Sequence, residues 1–177
     1  MTLIALLRGV NVGGHRRFRP SLIAQKLRRY DVVNVGAAGT FVVRKPGVPA
    51  AFRATLLRSV PFVAEVVLCD AEALVRLAAN NPFGPEPPSS ALVRFVSFLP
   101  KPVGAVPALP LMIPSTGPWF VRVVALREQF VIGEYRRHMK TIGYLGQLDA
   151  RFGVRATTRN WNTVTAIVRA VEGETRR

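Results

Sequence analysis

NNPFGPEPPSS, residues 80–90, carries four prolines in eleven positions. Proline lacks an amide hydrogen and fixes φ, so neither a helix nor a sheet ladder survives that spacing, and the segment reads as a linker. It splits the chain into two stretches that can be read separately. Working back from it, Asp70 caps a short helix ending at Ala79, and Ala64–Cys69 is a strand. Pro61 ends a helix over Val48–Val60 that rests on Phe52, Thr55, Leu56 and Ser59. Thr40–Arg44 and Val32–Val35 form a hairpin around the turn Gly36–Gly39. Pro20 suits the first turn of a helix whose face holds Leu22, Ile23, Leu27 and Tyr30. Thr2–Leu7 is a buried strand. In chain order these elements are βαββαβ plus a helix, the split-βαβ or ferredoxin-like arrangement.

Downstream of the linker the same order returns. Ala91–Leu99 is a strand, and Pro100–Pro118 holds six prolines, which leaves room only for a short helix around Ala105–Ile113. Trp119–Leu126 and Gln129–Ile132 pair as a hairpin, Arg136–Lys140 is a basic loop, and Leu145–Phe152 is a helix. Val154–Thr157 is a strand. The last helix, Trp161–Val171, packs Trp161, Val164, Ile167, Val168 and Val171 on one face. The fold class expected is therefore α+β, with two ferredoxin-like halves and antiparallel sheets: residues 1–80, which carry a basic Gly-rich loop, and residues 91–177, which carry a strand–helix stretch TTRNWNT.

Two stretches carry side chains suited to ligands. In the first, Arg8-Gly9-Val10-Asn11-Val12-Gly13-Gly14 runs from a strand toward a helix and is followed by Arg16. That is where α/β proteins place phosphate loops, and Gly13-Gly14 can offer backbone N–H groups beside cations; the alternative is a loop that needs positive φ. It is neither a Walker motif nor a dinucleotide fingerprint. In the second, Ala156–Thr163 (ATTRNWNT), Thr158, Arg159, Asn160 and Asn162 stand at a helix N-terminus, where an anion is favoured. Arg8 and Arg159 suit a carboxylate or phosphate, or else carbonyls of neighbouring loops. Asn160 serves equally as a helix cap, and Trp161 reads as core.

ALLRGVNVGG (residues 5–14) and ATTRNWNT (residues 156–163) resemble the two signatures of the domain of unknown function 1697 family of bacterial proteins. The resemblance implies an α+β fold with two ferredoxin-like halves and no established activity. It also marks a departure: members often carry a polar hairpin of the type Gln-Ser-Gly-Asn where this chain has Ala37-Ala38-Gly39-Thr40.

Composition narrows the classes. The chain has 177 residues, 49% hydrophobic and 20% charged, which is globular rather than disordered. Its one cysteine, Cys69, excludes an internal disulfide and reads as a core residue. The apolar run Met1–Leu7 is too short for a signal segment, and no stretch approaches the ~20 apolar residues of a membrane helix, so a cytoplasmic protein with no membrane partner is expected. Net charge is +15, and residues 1–30 hold no acid. No HxxxH, CxxC or carboxylate cluster suggests a metal, no cofactor motif is present, and no serine lies in a nucleophile elbow. The reading that follows is a small phosphate- or carboxylate-bearing ligand held between the halves by Arg8, Asn11, Gly13, Gly14, Arg16, Thr158, Arg159, Asn160 and Asn162. Sequence-nonspecific nucleic-acid binding through a basic face, an enzyme of unknown reaction and a protein-interaction module stand as alternatives.

Overall fold

The computed structural model describes residues 1–10, 18–85, 89–104 and 107–173. Fourteen regular elements run in order: β1 Leu3–Arg8, α1 Pro20–Lys26, β2 Val32–Asn34, β3 Thr40–Val43, α2 Pro49–Ser59, β4 Glu65–Asp70, α3 Ala71–Ala79, β5 Leu92–Phe98, β6 Leu111–Ile113, β7 Val121–Arg127, β8 Phe130–Arg136, α4 Thr141–Phe152, β9 Thr157–Asn160 and α5 Trp161–Val171. A 3₁₀ turn at Arg28–Tyr30 follows α1. The protein is α+β, with two antiparallel sheets ordered β2-β3-β1-β4 and β6-β7-β8-β5-β9. Two compact units result: Met1–Arg76 with Thr165–Arg177, and Leu77–Val164. The second half of α5 thus belongs to the first unit.

In the first unit β1 lies between β3 and β4 and is antiparallel to both. Side chains alternate along it. Leu3, Ala5 and Leu7 share one face with Phe41, Val43 and Val66 and meet Ile23 and Leu27 of α1 and Phe52 and Leu56 of α2. Ile4 and Leu6 on the other face are also fully buried, and Val42 and Cys69, which flank Ile4 across the strands, are buried with them. Each such side chain contributes about 1.5–3 kcal/mol. Local signals act as the sequence leads one to expect: Pro20 opens α1, Asp70 Oδ1 accepts the Glu72 N–H at 3.3 Å, and α2 stops before Pro61. Leu22 is an exception, because it is exposed. The buried stripe of α1 runs through Pro20, Ile23 and Leu27 at helical spacing, and Leu22 stands off it. Gly39 closes the β2–β3 turn at φ +67°, and a Cβ there would stand 3.0 Å from Leu7 Cβ and Cδ1. At the end of α5, Arg44 Nη2 donates to the Ala170 carbonyl at 2.8 Å, a cation on a helix C-terminus.

In the second unit β5 is central, paired with β8 on one side and β9 on the other. One sheet face packs Phe95, Val121, Val123 and Val131 against Leu148 and Phe152 of α4. Two expectations change here. Within the segment read as a short helix over 105–113, whose first two residues lie outside the described ones, the chain instead forms β6 at the edge of the sheet. Pro107, Pro110 and Pro114 withhold amide donors at a spacing no helix tolerates, whereas an edge strand needs bonds on one side only. Helix α4 begins at Thr141 rather than Leu145, its first turn tied down by Thr141 Oγ1 donating to the Arg136 carbonyl at 2.6 Å; Gly143 and Gly146 masked it as a helix.

Gly133 of β8 sits opposite Phe95. A Cβ at 133 would stand 2.7 Å from Phe95 Cζ and closer still to the Arg122 carbonyl oxygen. Gly143 in α4 has nothing within 4 Å of such an atom. Urea denaturation should therefore separate the two: Gly133→Ala loses about 1–3 kcal/mol through overpacking, while Gly143→Ala gains about 0.5–1 kcal/mol from helix propensity.

Candidate functional site

The stretch TTRN is itself strand β9, three residues later than the strand expected at Val154–Thr157. The β-branched Thr157 and Thr158 suit a strand, and Ser97 and Thr158 share a hydroxyl–hydroxyl bond of 2.5 Å across β5–β9. Asp149 Oδ1 accepts the Ala156 N–H at 2.8 Å and fixes the entry. Arg159 is therefore inside the strand rather than beyond it, and Arg8 is likewise the last residue of β1, opposite Glu65. Alternation puts Thr158 and Asn160 on one side of β9 and Arg159 on the other. Asn160 then caps α5, its Oδ1 accepting both the Thr163 N–H and the Thr163 hydroxyl at 2.9 Å.

Beside that cap lies a cleft of about 550 Å³ within the second unit. Ser89 and Ser90 line one edge, and Leu92, Val93 and Arg94 enter from the start of β5. Tyr135 comes from the end of β8 and Arg137 from the residue just after it, and Asn160, Trp161 and Asn162 from the β9–α5 junction. Short local bonds hold these parts: Ser89 Oγ accepts the Ala91 N–H at 3.3 Å, and the Arg137 N–H donates to the Ala91 carbonyl at 3.4 Å. Trp161 is half-buried rather than core, its ring edge-on to Phe83 at 5.0 Å.

Electrostatics favour an anion here. Among the described residues no lining side chain is acidic. The nearby carboxylate, Glu134, is only 8% exposed and is bound on both oxygens, by Arg94 Nε at 3.3 Å and by Arg122 Nη2 at 2.5 Å. Arg94 also lies over the Phe83 ring at 4.9 Å, so its guanidinium is held in place at the cleft wall. Burial raises the Tyr135 hydroxyl above its ordinary pKa, against the opposing charge of Arg137, so it is a proton donor at neutral pH.

Of the residues expected to bind, Asn160 and Asn162 line this cleft, and Thr158 and Arg159 do not. Arg159 donates from Nη1 to the Thr158 carbonyl at 2.9 Å, and desolvation lowers its pKa to about 10, which leaves it a cation at neutral pH. Arg8 belongs to the first unit. Asn11, Gly13, Gly14 and Arg16 lie outside the described residues. Sequence reasoning did not single out Arg94, Tyr135, Arg137, Ser89 or Ser90. The available signal was a charge at Arg94 and another at Glu134, each inside an otherwise apolar strand. Among the described residues no three His, Cys, Asp or Glu side chains gather to hold a metal, and no helix is long and apolar enough to cross a membrane. Cys69 is buried, and desolvation drives its thiol pKa far up, so it is no thiolate nucleophile at neutral pH.

Comparison with known proteins gives two results. The family model described as Protein of unknown function (DUF1697) matches residues 1–109. Among solved structures, the conserved bacterial protein SP0830 from Streptococcus pneumoniae is similar over 97% of this chain and 98% of its own, with a TM-score of 0.63 and 16% identity, a likeness of fold. No curated protein matches the chain.

The cap is testable by itself. Asn160→Ala should cost about 1 kcal/mol in thermal or urea unfolding, while Asn160→Asp, which retains the acceptor, should cost little. Equal losses in both variants would mean that the side-chain oxygen is not what matters.

Proposed function

The chain belongs to the DUF1697 family of proteins of unknown function, and we propose that it binds a small phosphate- or carboxylate-bearing ligand in the cleft beside the N-terminus of α5. One observation carries this reading: among the described residues the cleft is lined by Arg94 and Arg137 together with hydroxyl- and amide-bearing residues, and by no carboxylate. Guanidinium groups match the planar, multi-acceptor geometry of carboxylate and phosphate. Arg94 is pre-set by Glu134 and Phe83, so little ordering cost falls on it when a ligand arrives. Arg137 is exposed and supplies the adaptable second contact.

The same reading takes the two halves as ferredoxin-like repeats. Support comes from strand order. The first sheet runs β2-β3-β1-β4, and the second contains β7-β8-β5-β9 in the corresponding sequence, with β6 added at its edge where the first half has α1.

A thermal-shift series of inorganic phosphate, sugar phosphates and dicarboxylates tests the site. A ligand at 100 times its Kd adds about 2.7 kcal/mol to apparent stability. Arg137→Ala should weaken that ligand at least tenfold, roughly 1.4 kcal/mol, without lowering the unliganded midpoint. Arg159→Ala, off the cleft, should leave affinity unchanged. An unchanged affinity in Arg137→Ala, or no shift with any of these anions, would refute the assignment.

A further inference from the structure

An anion alone would leave much of this cleft unfilled. Two aromatic residues, Trp161 and Tyr135, line it together with the apolar Leu92 and Val93. Both rings are backed by another: Phe83 meets Trp161 edge-on at 81°, and Phe95 lies 5.8 Å from Tyr135. A half-exposed ring braced by a neighbour is a rigid platform whose ordering cost is already met. The volume, about 550 Å³, falls in the range of small-molecule sites, roughly 300–1,000 Å³. A free phosphate would occupy only the guanidinium end and keep water against the apolar wall.

Resting on the anion-binding reading above, we infer that the ligand is a nucleoside monophosphate, its base against Trp161 and its phosphate on Arg94 and Arg137. A heterocyclic base supplies the flat surface that the indole and the apolar wall require. The amide of Asn162 carries both a donor and an acceptor, which suits the mixed edge of a base. Two guanidinium groups match one phosphate dianion. Stacking of a base on an aromatic side chain is worth roughly 5- to 150-fold in affinity, so the base and the phosphate should both be needed for tight binding.

The protein has two tryptophans, Trp119 and Trp161. Trp119→Phe keeps a ring beneath Arg122 and Arg136 and leaves Trp161 as the sole indole reporter. Titration of that variant with adenosine or uridine monophosphate should quench the emission saturably. Adenosine and ribose 5-phosphate should each bind at least tenfold more weakly than adenosine monophosphate. In calorimetry, Trp161→Leu should reduce the affinity for adenosine monophosphate to that for ribose 5-phosphate and leave the latter unchanged. The ladder of ligands on the folded Trp119→Phe protein decides the matter even if Trp161→Leu does not fold. Ribose 5-phosphate binding as tightly as the monophosphates would overturn the nucleotide inference while leaving the anion site standing. No binding by any of the phosphates would also overturn the nucleotide inference, and only if the dicarboxylates fail as well would the anion site fall with it.

Discussion

The ring of Phe95 lies against the bare Cα of Gly133, and this contact sets how β5 meets β8 in the second unit. On the other side of β5, the Ser97–Thr158 hydroxyl bond sets how it meets β9. Because side chains alternate along a strand, a slip of one residue at either seam would turn every one of them to the opposite face. At the first seam the slip would carry Arg94 away from Glu134. At the second it would carry Asn160, together with the α5 N-terminus that it caps, away from the start of β5. The cleft therefore inherits its geometry from two core contacts that never touch a ligand. A glycine in a strand normally weakens it, yet here it is the only residue that leaves room for the ring, so a local cost sustains a long-range register.

The buried charges divide into two kinds. Glu134 lies between Arg94 and Arg122, with both oxygens bonded. Such a triad is about as stable as well-packed apolar residues of the same size, because desolvation offsets the attraction. Its consequence is positional: an otherwise mobile Arg94 is held in one pose at the cleft wall. Arg159 is the other kind. It is desolvated enough to lower its pKa, and its Nη1 donates to the Thr158 carbonyl of its own strand. It does not line the cleft.

Local chemistry was legible in the sequence, and register was not. Pro20, Pro61, Asp70 and Gly39 each impose a conformation within a few residues, and each element they bound stands where expected. Leu22 departs from expectation because periodicity does not say which apolar residues tertiary packing will bury, β6 because its prolines permit an edge strand and not a helix, and the start of α4 because Gly143 and Gly146 hide its helical pattern. The site shows the same division. Asn160 and Asn162 could be singled out because a strand–helix junction is a local pattern. Arg94 comes from β5, Tyr135 from β8 and Arg137 from just after it, some forty residues apart in the chain, and only the sheet register brings them beside Asn160. Trp161 looked like a core residue because it falls on the apolar stripe of α5. At the first turn of a helix, however, that stripe has already reached the edge of the packed layer.

The large positive charge and the cleft act at different distances. A net charge of +15 attracts any anion toward the protein, but at physiological salt that attraction fades over about 8 Å. It raises encounter rates and carries little selectivity. Selectivity has to come from groups that meet the ligand after water is displaced, where a guanidinium fixed by Glu134 and Phe83 differs from a solvated arginine on the surface. The two effects separate with salt. Rising ionic strength should slow association with any anion, while the dissociation of a ligand held against Arg94 and Trp161 depends on desolvated short-range contacts and should change much less. Abundant arginine elsewhere on the chain therefore does not substitute for the proposed site: in that reading, a cleft built on the register of three strands, with no acid among its described lining residues, is what would distinguish a bound ligand from a merely attracted one.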